Sequence, residues 1–236
     1  MTEHEIRLDH DRAGRLGLDE AIFCAQKRPA QIEVILEQVQ TAGRSCLLTH
    51  LDPAHYRGLG TSQRSLLDYD EVSRTAYFNW SARPAAEPEL GIVTAGSSDV
   101  PVAREALRTL AYYHVAALPV FDVGVAGLWR LLERIDELRQ MPVLIAAAGM
   151  DAALPSVLGG LYGGLIVAVP TSTGYGVASG GHTALNAILA SCASGLVTVN
   201  IDNGYGAACA ALRALGFVRR VAAATPAVTV AAADGG

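Results

Sequence analysis

Charge is absent from a long stretch of this 236-residue chain: positions 152–201, fifty residues in all, contain no Asp, Glu, Lys or Arg. The same stretch also lacks an unbroken apolar run of the ~20 residues that a membrane-spanning helix needs. Pro155, Pro170 and the pairs Gly159-Gly160 and Gly163-Gly164 interrupt it, and Ser, Thr and Asn recur throughout. It reads as buried strands joined by Gly- and Ser-rich turns around an uncharged pocket. Aromatic residues are scarce, 6% against 51% hydrophobic, so the core is built from Ala, Val, Leu and Ile, as in an α/β fold with closely packed helices. Basic residues do not dominate. The formal net charge of −5 excludes the broad basic footprint of a nucleic-acid partner. A small anionic ligand stays open, because backbone amides at helix N-termini bind phosphate without net positive charge. The four cysteines, Cys24, Cys46, Cys192 and Cys209, form no Cys-x-x-Cys pair, which suggests neither a zinc site nor a disulfide framework. Met1-Thr-Glu-His-Glu5 lacks the apolar region of a signal peptide. These features predict a soluble cytoplasmic protein with free thiols and no membrane partner.

What is present divides the chain in two. Residues 1–58 read as a small N-terminal α/β block. Ile32, Ile35, Leu36 and Val39 recur at helical spacing, and Cys46–Thr49 reads as a short strand. Residues 59–88 mix Gly, Ser, Arg, Asp and Pro and read as a linker with some strand character. From 89 to 218 apolar strands alternate with helices. The strands fall at Leu90–Thr94, Val115–Phe121, Val143–Ala147, Leu165–Val169 and Leu196–Ile201. Helices begin near Pro101, follow Asp122 through Arg139, and recur near 151–161, 182–191 and 204–216. This alternation predicts right-handed βαβ units in a doubly wound parallel sheet covered on both faces. Residues 219–236 read as a flexible tail.

In an open α/β sheet, ligands bind at the carboxyl ends of the strands. Every polar motif of the second region falls there. Gly96-Ser97-Ser98-Asp99 follows the first strand, Asp122-Val-Gly124 the second and Gly149-Met150-Asp151 the third. Thr171-Ser172-Thr-Gly-Tyr175-Gly176 follows the fourth, and Asn200-Ile-Asp202-Asn203 the fifth. Each alone fits a strand-to-helix turn that needs Gly and a cap; together they outline a site. Gly-Ser-Ser-Asp at a helix start has the makings of a phosphate and ribose cradle, with Asp99 accepting hydroxyl protons. No Gly-x-Gly-x-x-Gly follows Gly174, since position 179 is Ser, and no Gly-x-x-x-x-Gly-Lys occurs. Cys192 lies in Ser191-Cys-Ala-Ser-Gly195, among small polar residues of the uncharged segment. It is either a small core residue or a nucleophile in a pocket edged by Asp151 and Asp202. Cys24, Cys46 and Cys209 read as packing residues, and His182 as a polar helix start rather than a base. Arg12, Arg15, Glu20, Lys27 and Arg28 form either a solvated face or a second phosphate clamp.

The motifs taken together resemble one family. Gly96-Ser-Ser-Asp-Val-Pro101, Asp122-Val-Gly-Val-Ala-Gly127, Ala148-Gly-Met-Asp-Ala-Ala-Leu-Pro-Ser-Val157, Val169-Pro-Thr-Ser-Thr-Gly-Tyr-Gly176, Ser191-Cys-Ala-Ser-Gly195 and Val199-Asn-Ile-Asp-Asn-Gly-Tyr-Gly206 are similar to LarB. LarB is the pyridinium-3,5-biscarboxylic acid mononucleotide synthase of nickel-pincer cofactor assembly, and its C-terminal region is similar to PurE-type phosphoribosylaminoimidazole carboxylase. The resemblance implies a flavodoxin-like, PurE-like sheet and a homo-octamer. It implies nicotinic acid adenine dinucleotide as substrate, CO2 or bicarbonate as co-substrate, Mg2+, and no organic cofactor. The ring would be carboxylated at C5 through a Cys192 adduct, with Asp151 as base or as the group orienting the carboxylate, and the phosphoanhydride hydrolysed to release AMP. Asp151 is expected to sit desolvated at the pocket mouth. Asp151, His50 and Ser97 stand where the family more often has Glu, Arg and Thr. The alternatives are a PurE-like aminoimidazole ribonucleotide carboxylase or mutase without a covalent step, and a non-enzymatic nucleotide-binding module.

Overall fold

The computed structural model describes residues 6–83 and 87–224. Its first elements are α1 (Arg12–Leu16), β1 (Ile22–Phe23), α2 (Pro29–Thr41), β2 (Cys46–Thr49), α3 (Pro53–Gly58), α4 (Thr61–Arg64), β3 (Leu67–Asp70) and β4 (Thr75–Phe78). The apolar stripe expected on α2 is there: Ile32, Ile35, Leu36 and Val39 are all buried against Leu48 and Phe78. Pro29 sits in the first turn, where its missing N–H breaks no helical bond. Asp52 caps α3 by accepting the amides of Ala54 and His55, both at 2.9 Å.

The four strands form one sheet in the order β1-β2-β4-β3, parallel only between β1 and β2. This differs from the expected linker over 59–88. Within it, β3 and β4 form an antiparallel hairpin that completes the N-terminal sheet, with Thr75–Phe78 wholly buried. The polar content of residues 59–74 hid the edge strand β3, which pairs with β4, whose other partner, β2, lies far back in the sequence.

The second unit runs through β5 (Leu90–Thr94), α5 (Val100–Tyr112), β6 (Ala117–Val120), α6 (Leu128–Leu132), α7 (Ile135–Leu138), β7 (Val143–Ala148), α8 (Ala153–Leu161), β8 (Leu165–Pro170), α9 (His182–Leu189), β9 (Leu196–Thr198) and α10 (Gly204–Ala224). Its five strands are all parallel, ordered β6-β5-β7-β8-β9. Helices α5 and α10 cover one face and α6 to α9 the other, giving two apolar layers. The continuous burial of β5 and β7 is what a sheet covered on both faces requires. Small side chains let α5 and α10 approach closely: Ala103, Ala106, Ala207, Ala208 and Ala211 are buried between them and the sheet.

Three local expectations differ from the structure. The helix expected from Asp122 through Arg139 is broken into a 3-10 turn, Val125–Gly127, and the short helices α6 and α7. The fifth strand stops at Thr198, because Asn200 Oδ1 takes the amide of Ile201 and Asp202 turns at φ +54°. Helix α10 continues to Ala224, into the segment expected to be a tail; residues 225–236 lie outside the described residues.

The two sheets are joined by specific contacts. Tyr77 Oη donates to the Arg108 carbonyl at 2.6 Å, with the Arg108 guanidinium 3.9 Å from the Tyr77 ring centre. Trp80 Nε1 donates to the Tyr112 carbonyl at 3.1 Å, and Arg104 forks onto Asp70. The N-terminal sheet thus packs on α5, the helix that follows the first polar turn of the parallel sheet.

Candidate active site

The five polar turns gather along one edge of the parallel sheet and are tied to one another by hydrogen bonds. Asp99 is 2% exposed. Its Oδ2 accepts the Gly96 amide at 2.8 Å and its Oδ1 accepts the Thr171 hydroxyl at 2.6 Å. Two turns, after β5 and after β8, are therefore fixed to each other by one carboxylate that faces the protein interior. Thr94 Oγ1 accepts the Asp122 amide at 3.0 Å, which joins the turns after β5 and β6. Asp202 Oδ1 accepts the Ser172 amide at 2.8 Å, and the Asp202 amide donates to the Pro170 carbonyl at 2.9 Å, joining the turns after β8 and β9.

Gly149 shows why a side chain is excluded at the middle of this edge. A Cβ there would lie 2.3 Å from the Thr173 carbonyl oxygen and 2.7 Å from Thr171 Oγ1. The Met150 amide instead reaches the Thr173 carbonyl at 2.9 Å. Asp122, Met150 and Asp202 all have φ near +55°, at +57°, +54° and +54°. With Ala152 at φ +45°, four non-glycine residues in the left-handed region on one edge mark a concentration of backbone strain, which persists where surrounding contacts over-determine it and which clusters at functional sites.

Above this braced floor the exposed groups are Ser97, Ser98, Asp122, Met150, Asp151, Ser172, Tyr175, Gly176 and Asn200. Ser97 and Ser98 form a 3-10 turn leading into α5, and Tyr175 is 78% exposed. Asp122 pairs with Arg130 at 2.8 Å, beyond Gly124, which opens the turn Val125–Gly127. Asn203 Oδ1 accepts the Gly206 amide at 2.7 Å and so closes the first turn of α10 rather than facing the edge. Asp151 is exposed, with no hydrogen bond or ion pair among the described residues, so the desolvated setting expected for it is absent within one chain. His182 is exposed at the start of α9.

Cys192 is not among the braced turns: no hydrogen bond joins it to Asp151 or Asp202 among the described residues. It lies between α9 and β9, before Leu196, which pairs with Ile166 near the start of β8. The turn is pinned to α8: Ser191 Oγ lies 2.6 Å from Ser156 Oγ and accepts the Ala193 amide at 3.1 Å. Cys192 is exposed, whereas Cys24 and Cys46 are buried and burial pushes both thiols up to about 12. Burial raises Cys209 as well. Glu105, on the buried face of α5, was not read from the sequence. It stands beside Arg104 in an Ala- and Leu-rich helix, and only its place on the face of Ala106, Thr109 and Tyr112 signals its burial.

Among the described residues, no group of three or more His, Cys, Asp or Glu side chains is placed to hold a metal ion. One chain's described residues thus supply no ready Mg2+ donor set, and no step below passes through one. No helix among them is long and apolar enough to cross a membrane.

A five-stranded parallel sheet with its polar turns braced at the carboxyl edge, preceded by a small mixed sheet, defines a PurE-like α/β protein with an N-terminal block. Residues 3–81 match the LarB/PurE-like N-terminal domain, and residues 89–230 match AIR carboxylase. The chain belongs to the LarB family, related to PurE, and its two domains support a carboxylase- or mutase-type function. It is 34% identical over 215 residues to an uncharacterized protein of Methanocaldococcus jannaschii, covering 87% of this chain and 82% of that protein. It is 31% identical over 137 residues to the N5-carboxyaminoimidazole ribonucleotide mutase of Pyrococcus horikoshii, covering 56% of this chain and 74% of the mutase.

Proposed function

We propose that the protein carboxylates the pyridinium ring of nicotinic acid adenine dinucleotide at C5 and hydrolyses the phosphoanhydride, releasing AMP and pyridinium-3,5-biscarboxylic acid mononucleotide for nickel-pincer cofactor synthesis. The observation that carries the reading is the exposure of Cys192, alone among the four thiols, in the family's Ser-Cys-Ala segment. A pyridinium carbon is electron-poor and does not attack CO2. Addition of the Cys192 thiolate to the ring turns the cation into a neutral dihydropyridine with enamine character. Its C5 then forms the new bond to CO2, supplied as such or from bicarbonate. Removal of the C5 proton and expulsion of the thiolate restore the aromatic ring, so the thiol is regenerated. Asp151, unpaired at the carboxyl edge, is the proposed base. Ser97 and Ser98, at the turn into α5, are the proposed phosphate contacts.

Because no hydrogen bond ties the Cys192 turn to Asp151 within one copy, among the described residues, the proposal has one copy supplying the thiol and its neighbour the edge. A homo-octamer provides that arrangement, and so does any smaller assembly that apposes the two surfaces. The second reading, an aminoimidazole ribonucleotide carboxylase or mutase, is favoured by the similarity to the Pyrococcus mutase and uses no covalent step. Assays of both substrates with Cys192→Ala separate the two. The proposal expects AMP release and carboxylation in the parent and neither carboxylation nor an adduct in Cys192→Ala, with Cys24→Ala and Cys46→Ala active. Full turnover of nicotinic acid adenine dinucleotide by Cys192→Ala refutes it.

A further inference from the structure

We infer that Glu105 is a positioning residue through which the N-terminal sheet, by way of His50, holds the turn from Asp202 to Tyr205 against the carboxyl edge. Glu105 projects from α5 and is 4% exposed. Its Oε2 accepts the Tyr205 amide at 3.2 Å, and the Gly204 amide also donates to the carboxylate. Oε1 is fully buried and has no hydrogen-bond partner among the described residues. His50 Nε2 lies 3.5 Å from it, too far for a well-made hydrogen bond, so the imidazole packs against the carboxylate and covers it. His50 follows β2 with φ +51° and packs its ring 5.0 Å from that of Phe23, so the strained backbone of the N-terminal sheet aims this ring at α5.

The turn itself has no slack. A Cβ on Gly204 would lie 2.2 Å from the Val102 carbonyl oxygen and 3.0 Å from Glu105 Oε2. Two residues earlier, Asp202 holds the Ser172 amide. A change at Glu105 is therefore passed to Asp202 and on to the turn after β8. The charged and titratable groups around the carboxylate come from several elements. They are His50 after β2, Arg74 between β3 and β4, Asp202 after β9 and Cys209 on α10. Burial raises the Glu105 carboxyl to about 7, against the pull of the two amides and Arg74, while Asp202 adds to the rise. Burial, then Arg74, lowers His50, with Asp202 opposing. Near neutral pH the carboxylate changes charge beside an imidazole that is already neutral.

The inference takes the location of the site from the proposed function, but its test does not use the reaction. Hydrogen–deuterium exchange is followed by mass spectrometry on the peptide covering residues 200–206, at pH 5.5 to 8.5, with rates corrected for intrinsic exchange. Opening the turn gives the ionised carboxylate the water that burial denies it, so protection should fall roughly five- to tenfold as pH rises through neutrality. Glu105→Gln keeps the shape and an acceptor oxygen and should show flat protection across the range. His50→Gln should move the midpoint, and Glu105→Ala should lose protection at every pH. If Glu105→Ala does not fold, Glu105→Gln carries the test. Equal exchange in parent and Glu105→Gln, pH dependence included, overturns the inference. Exchange as expected in a protein that leaves nicotinic acid adenine dinucleotide untouched refutes the proposed function and leaves this inference standing.

Discussion

Replacing Glu105 by Gln should change how stability depends on pH, and the structure gives both the sign and the size. The carboxyl is raised from 4.5 to about 7, mainly by burial. A group whose folded value is raised contributes stability that is fully present below the unfolded value, and that stability is lost as pH climbs through the folded value. The window is therefore 4.5 to 7. A shift of about 2.5 units corresponds to roughly 3 kcal/mol. Gln has no such titration. Urea unfolding of parent and Glu105→Gln at pH 4.5 and pH 8 should show the Gln protein gaining roughly 3 kcal/mol relative to the parent between the two conditions. His50 acts in the other direction, since its lowered value makes protonation unfavourable at acid pH. A His50→Gln background isolates the Glu105 contribution. A parent-to-variant difference that stays constant from pH 4.5 to pH 8 would show that the carboxylate is solvated in the folded state and that the reasoning is wrong.

Asp99→Ala leaves the Thr171 hydroxyl and the Gly96 amide without their partner, about 1–3 kcal/mol for each group, and should lower the urea midpoint as well as substrate affinity. Loss of affinity measured by calorimetry with no loss of stability would place Asp99 on the ligand instead. Gly204→Ala puts a methyl against the Val102 carbonyl and should lower the melting temperature. Asn203→Ala removes only the Gly206 contact and should cost about 1 kcal/mol, checked in the same melting experiment. Mixing inactive Cys192→Ala with inactive Asp151→Asn, after subunit exchange, should restore part of the activity, because each copy supplies what the other lacks; mixtures as inactive as the parts would place both groups in one copy's site.

The strand pattern made the parallel sheet legible, because each of its strands is a local apolar run followed by its own turn. Placing the turns at one edge needs only the rule that parallel strands end on the same side, so Ser97, Met150, Ser172 and Asp202 emerge together. What the sequence hid depends on distant partners. The hairpin β3–β4 pairs with β2 across intervening helices and carries polar residues that read as a linker. Asp99 looks like a ligand-facing group in Gly-Ser-Ser-Asp, yet its lone pairs are taken by Gly96 and Thr171, a contact of long sequence separation. The charge-free run suggested that Cys192 shares a pocket with Asp151 and Asp202, yet no hydrogen bond joins it to either among the described residues. The run spans both ends of β8 and β9, which composition does not distinguish.

Mass spectrometry of the intact protein and its peptides after incubation with nicotinic acid adenine dinucleotide and bicarbonate tests the central claim most directly. The account predicts AMP in solution and a ring adduct trapped on the peptide carrying Cys192, with no adduct on Cys24, Cys46 or Cys209. AMP release and carboxylated product with every cysteine unmodified, and undiminished in Cys192→Ala, would contradict it.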